Sequence, residues 1–219
     1  MSDAPEIRHF DSADAPGHIR HVLNAIVAPR PIAWVGSLAP NGAVNLAPHS
    51  YTTVFGVQPP IVGFVSTGKK DSLQNITDRG EFVYHVAGEE LGEKLNLTSA
   101  DFPREISELE WAGLTAVPSD LIDTPHLLEA EIAIECRLHD IVEIRQAGSW
   151  LVLGEALRFH VHERVIEHDR IAPWLIRPLA RLAGNDYSTF GTVLKMERPT
   201  YKRLMLDGAK SLEISDIEG

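Results

Sequence analysis

Two long strand-like segments, Leu127 to Ile144 and Ser149 to Val161, follow one another in the second half of the chain. Only Arg145-Gln146-Ala147-Gly148 separates them, which suits a hairpin loop. In the first segment Leu128, Ala130, Ile132, Ile134 and Cys136 fall on one parity, and Glu129, Glu131, Ala133, Glu135 and Arg137 on the other. Successive side chains of a strand point to opposite faces. The pattern therefore predicts a half-buried antiparallel strand with one apolar and one polar face.

The first half supplies more strands. Ile32 to Leu38 reads as one, and Asn41-Gly42 as a tight hairpin turn in which both residues adopt positive φ. Ala43 to Leu46 returns, and Ala47-Pro48-His49-Ser50 ends or bulges the strand because proline lacks an N–H. Pro59-Pro60 leads into Ile61 to Ser66. Thr67-Gly68-Lys69-Lys70 is a loop, after which Asp71 or Ser72 caps a short helix with Leu73 and Ile76 inward and Gly80 as its stop. Phe82 to Val86 is a further strand, Glu89 to Leu97 is helical, and a last strand runs from Thr192 to Met196. Ile19 to Val27 suits either a strand or a helix, ended by Pro29-Arg30-Pro31. Many strands, hairpin turns and few helices predict a mainly β protein, an antiparallel barrel. No Gly-x-Gly-x-x-Gly follows a strand, which argues against a Rossmann unit.

Composition narrows the function. The formal net charge is −11 over 219 residues, with no basic cluster, so no nucleic-acid partner is expected. No run of ~18 apolar residues is present, so no membrane span is expected. The N-terminus lacks a secretory signal, and a cytoplasmic location follows by elimination. The single cysteine, Cys136, excludes an intrachain disulfide and falls on the apolar parity, as a core residue would. Anions can still be bound, but only by a concentrated local donor set.

Four constellations carry possible chemistry. Ser66 to Ile76 places two lysines and several hydroxyls around a helix N-terminus, a phosphate cradle or else an ordinary capped surface helix. Asn45 to Ser50 puts small residues where a flat heterocycle could approach the backbone, or is simply a strand end. His160 and His162 share a strand face, but no further ligand at matching spacing completes a metal site, and none is expected. Arg181 to Tyr187 encloses a glycine turn that closes over a ligand or packs as a tail.

Read in order, several motifs resemble the flavin-reductase-like, FMN-binding split-barrel proteins, with a closer likeness to flavoredoxin and to reductase components of two-component monooxygenases. They are Arg30-Pro31-Ile32-Ala33-Trp34-Val35, Asn41-Gly42, Asn45-Leu46-Ala47-Pro48-His49-Ser50, Pro59-Pro60 and Lys70-Asp71-Ser72-Leu73-Gln74-Asn75-Ile76. Gly80-Glu81-Phe82, Asn96-Leu97-Thr98-Ser99, Glu135-Cys136, Gly154-Glu155, His160-Val161-His162 and Arg181-Leu182-Ala183-Gly184-Asn185-Asp186-Tyr187 continue the series. The resemblance implies a split β-barrel spanning residues 19–200, after a lead-in 1–18 and before a C-terminal tail 201–219. It further implies a homodimer with FMN near the subunit interface and NAD(P)H as co-substrate. The electron acceptor would be a partner monooxygenase or another molecule.

On this likeness Trp34, Asn45, Leu46, Ala47, Pro48, His49 and Ser50 would lie at the isoalloxazine. Ser66, Lys70, Asp71, Ser72 and Asn75 would serve the phosphate end. Asn96, Arg181 and Tyr187 would lie near the flavin or the opposite subunit. Position 49 is His where the family usually has an aromatic residue, and position 72 is Ser in place of Thr. The flavin would carry the redox chemistry and the protein would orient it, with His49, His160 or His162 as candidate catalytic proton sources. An electron carrier with tightly held FMN and a binding protein without redox activity are the competing readings.

Overall fold

The structure is a computed structural model that describes residues 6–196, 198–201, 205 and 214–217. Seven strands form its main sheet: β1 (Ala33–Leu38), β2 (Val44–His49), β3 (Thr52–Val57), β4 (Pro60–Thr67), β5 (Glu81–Val86), β6 (Ile132–Ile144) and β7 (Ser149–Val161). Their order is β2-β1-β5-β6-β7-β4-β3, and every neighbouring pair is antiparallel. The two edge strands, β2 and β3, are consecutive in the chain but not hydrogen-bonded to each other. The sheet therefore curls into a barrel that stays split between them, and the mainly β, antiparallel split barrel expected from the sequence is the fold.

The β6–β7 hairpin is the backbone of this barrel, paired from Ile144↔Ser149 to Ile132↔Val161 with two register shifts. Ala33, Val35, Phe64, Phe82, Tyr84, Ile134, Cys136 and Val152 fill the interior. Phe82 lies directly over Gly154, where an added Cβ would come within 2.4 Å of its ring. Burying a ring of this size contributes roughly 2–3 kcal/mol. A second core of Trp34, Leu46, Leu91, Leu95, Leu109 and Leu127 sits on the outer side of β1 and β2. Helices α3 (Gly92–Leu97) and α4 (Glu108–Ala112) carry its cover. Helix α1 (Pro16–Ile26) precedes the barrel and buries no residue, which settles the strand-or-helix alternative.

Several expectations need correction. The polar parity around the start of β6 does not face solvent: Glu131 and Ala133 are buried and Glu135 is 0% exposed, and only from Arg137 onward does that face open to solvent. The segment 118–127 crosses that face, and the N–H groups of Asp120 and Leu121 donate to the Glu135 carboxylate at 2.8 and 2.7 Å. The strand also starts later than expected. His126–Leu127 pairs with Ala116–Val117, and Leu128 is exposed.

The Asn41-Gly42 turn is a three-residue loop, closed by Ala39 N–H to Ala43 O at 2.8 Å, and Gly42 alone has positive φ. Asn41 instead accepts the Ala43 N–H through its side chain. Strand β2 runs on through Pro48 to His49 because it is an edge strand, where a missing N–H leaves no partner unpaired. Strand β3 has no counterpart in the sequence reading. Of the tail 201–219, the backbone of Ile214–Ile217 pairs with Val193–Met196.

Candidate functional site

Where β2, β4 and the helix after β4 converge, a cavity of about 330 Å³ opens. Helix α2 (Asp71–Arg79) begins at its wall, with Lys70 at the N-cap position and Gly80 closing the far end in the left-handed region. This corrects the expected Asp71 or Ser72 cap. Ser72 is committed elsewhere: its oxygen accepts the Asn45 amide at 3.0 Å, leaving its own proton free to donate. Asn45, Ala47, Pro48 and His49 line one side, and Thr67, Lys69, Lys70, Asp71 and Ser72 the other. Thr98 to Phe102 and Glu108 complete the lining.

The electrostatics are local, as an acidic chain requires. Lys70 approaches Asp101 at only 3.9 Å, and Asp71 faces Arg104 at 3.6 Å. Lys69 extends over the Trp150 ring. The first-turn N–H groups of α2 and its positive dipole end add to these cations. Burial pushes the Glu108 carboxyl up, against the Leu46 N–H that it accepts at 2.9 Å.

His49 is buried and packs against Phe64, with ring centroids 4.4 Å apart and the ring planes tilted by 41°. Desolvation, helped by the charge of Lys70, lowers its pKa to about 4. Its ring is therefore neutral at pH 7, and its Nε2 has no hydrogen-bond partner among the described residues.

A second cavity, of about 270 Å³, adjoins the first. Pro48 and Ser99 line both. Ser50, Arg181 and Tyr187 line the second, where the Arg181 guanidinium lies 4.4 Å from the centre of the Tyr187 ring. The Tyr187 hydroxyl donates to Asn96 Oδ1 at 3.1 Å. Arg30 is buried beside it, donating to the carbonyls of Asn24, Val27 and Leu182.

The sequence candidates thus divide. Asn45, Ala47, Pro48, His49, Lys70, Asp71 and Ser72 meet in one cavity, and Ser50, Arg181 and Tyr187 in the next. Asn96 touches the second only through Tyr187.

Trp34, Leu46, Ser66 and Asn75 line neither and act as supports. Trp34 donates its indole N–H to Thr98 Oγ1 at 2.9 Å, and Leu46 packs in the outer core. Ser66 donates to the Gly68 carbonyl, and Asn75 donates to Ser37 and accepts from Arg104.

His160 and His162 line neither cavity. His160 contacts Glu135, on the opposite side of the sheet wall from the ring of His49. Glu108 and the Thr98–Phe102 turn carried no sequence signal as site residues, although Thr98-Ser99 stood among the matched motifs.

Residues 27–179 match the flavin reductase like domain family, and the chain belongs to that family. The uncharacterized protein BH2278 of Halalkalibacterium halodurans is 35% identical over 200 residues, covering 87% of this chain and 95% of its own. Among solved structures, nitrilotriacetate monooxygenase component B from Bacillus cereus matches with a TM-score of 0.82 at 31% identity, covering 86% of this chain and 98% of that one. The 2-nitrobenzoate 2-nitroreductase NbaA of Pseudomonas fluorescens matches with a TM-score of 0.82 at 31% identity, covering 89% and 98%. The class is that of flavin-related oxidoreductases. No helix among the described residues is long and apolar enough to cross a membrane.

Proposed function

We propose that the chain is an FMN-binding, NAD(P)H-dependent flavin reductase that works as a cytoplasmic homodimer. The observation that carries this reading is the cavity running from the N-terminus of α2 to Pro48 and His49. Its donor set suits a phosphate at one end: the Lys69 and Lys70 ammonium groups, the free Ser72 proton and the first N–H groups of α2. At the other end, small Ala47, flat Pro48 and the unpartnered Nε2 of a neutral His49 suit the edge of a heterocycle.

Bound FMN would supply the redox chemistry, taking two electrons from NAD(P)H and passing them to an acceptor. The protein's part is placement. Asn45 fixes β2 to α2, Trp34 holds Thr98, and Glu108 anchors the edge of β2. The adjoining cavity, with Ser50, Arg181 and Tyr187, is the place for nicotinamide or acceptor. In the first cavity His49 serves as a neutral hydrogen-bonding group and not as an imidazolium.

The solved relative named as a monooxygenase component supports an oxygenase as acceptor. Dimerisation is supported by an apolar surface on two adjoining elements. Leu23, Ile26 and Val27 at the end of α1 are exposed, as are Val54, Phe55 and Val57 on edge strand β3, Val57 at 88%. Tyr51 donates to Asn24 across them. A patch of this kind on an unpaired edge needs a cover.

The test is an absorption spectrum of the purified protein with FMN, before and after anaerobic NADH or NADPH. Bleaching of the flavin band supports the reductase. Bound flavin that never bleaches leaves an electron carrier, and no flavin uptake removes both.

A further inference from the structure

On the outer face of the barrel, away from both cavities, Asp120, Glu135 and His160 converge. One carboxylate oxygen from each acid and a ring nitrogen of His160 all lie within 4.8 Å of one another. They come from three separate places: the 118–125 crossing, β6 and β7. We infer that this cluster is a site for one divalent transition-metal ion of the zinc class.

The donor set is what such an ion takes. Two carboxylates and one imidazole give three ligands, and bonds of about 2.0–2.2 Å set tetrahedral ligand atoms roughly 3.4 Å apart, so His160 and Glu135 would part slightly from their present 2.6 Å contact to admit the ion. Glu135 is not a surface acid that gathers with others by chance. It is 0% exposed and sits 2.6 Å from His160 Nε2. The N–H groups of Asp120 and Leu121 reach its carboxylate at 2.8 and 2.7 Å and hold both oxygens in place.

His126 stacks on His160 at 4.3 Å and 14°, which fixes the orientation of that ring. The Nδ1 of His126 is itself buried without a partner among the described residues. An ion would replace the proton shared by His160 and Glu135, and would compete with Arg158, which holds Asp120 at 2.5 Å. His162, the neighbour expected to act with His160, is not in the cluster.

Bound there, the ion would tie the 118–125 crossing to both long strands. Its role would be to stabilise the barrel wall, since no residue of the cluster lines a flavin cavity. The experiment uses tag-free, FMN-loaded protein freed of metal by dialysis against chelator. Zinc is titrated calorimetrically at pH 7, and the thermal midpoint is read with and without zinc.

One equivalent per chain is expected, with a midpoint rise of roughly 5 °C or more at a hundredfold excess over Kd. Asp120→Asn and His160→Gln should each weaken binding at least about tenfold, while His162→Gln should not. Asp120→Asn should also retain its FMN, so lost binding is not lost folding. Absence of binding, or binding equally tight in Asp120→Asn and His160→Gln, overturns the inference. The second result would assign the zinc to other histidines, such as His18 and His21 of α1.

Discussion

The side-chain amide of Asn45 donates to the hydroxyl oxygen of Ser72 at 3.0 Å, fixing strand β2 against the first turn of α2. Because Ser72 accepts this bond, its own proton is left to point at a ligand. The proposed phosphate end thus rests on a donor oriented by the strand proposed to hold the ring.

Replacing Lys70 or Ser72 by alanine should weaken FMN binding about tenfold each, the scale of one charge-assisted hydrogen bond. Flavin fluorescence quenching measures this. Riboflavin, which lacks the phosphate, should be affected much less. Equal losses for both ligands would show that these residues do not serve the phosphate.

Acid should destabilise the fold through two buried histidines. His49 and His85 both titrate near 4 in the fold against 6.5 when free, chiefly because burial desolvates them. The unfolded chain then binds more protons between those values. Stability is fully present above pH 6.5 and falls as the pH drops towards 4, by on the order of 3 kcal/mol for each group.

For His85 the cause is visible. A neutral ring satisfies both its contacts, donating from Nδ1 to the Trp34 carbonyl and accepting the Leu127 N–H at Nε2, and a second ring proton would face that N–H. Denaturant melts at pH 7, 5.5 and 4.5 provide the check. His49→Phe should flatten the dependence, and an unchanged slope would remove His49 from this account.

Gly154→Ala should cost about 2 kcal/mol, a fall of roughly 4–8 °C in Tm. The new methyl would press on the Phe82 ring and on the Cys136 Cβ at 3.1 Å. Phe82→Leu in the same chain should recover part of the loss, because it removes the ring from over Gly154. Calorimetry of the two variants decides it.

Val57→Asp should shift a dimer towards monomer in sedimentation velocity, since a charge would be placed on the most exposed apolar residue of β3. A chain that sediments as the same species before and after the change would exclude this face from the contact.

Strand identity was legible wherever burial alternates or runs without a break. Ala33–Leu38 and Glu81–Val86 are bounded by clear turn residues and buried along most of their length. Strand β3 was not, because Val54, Phe55 and Val57 are apolar yet exposed, and its register slips between Val54 and Gly56. The polar parity of β6 was misread for a different reason. A carboxylate can be buried when backbone N–H groups reach it, and those of Asp120 and Leu121 come from a segment that pattern alone cannot position.

The candidate site shows the same division. Asn45, Lys70 and Ser72 stood out as local motifs, whereas Glu108 reaches the cavity across 62 residues of sequence. Leu46 was grouped with its neighbours although strand geometry turns it the other way.

The open side of the barrel is guarded along its length. On the free edge of β2, Ser107 donates to the Val44 carbonyl and Glu108 takes the Leu46 N–H. Two residues further on, where the next N–H would project outward, stands Pro48, which has none. A foreign strand would find no ladder to extend there, and the chain's own β3 finds none to zip against. The mouth through which a flavin would enter is thereby kept from healing shut, and the same three residues deny that edge to self-association into fibrils.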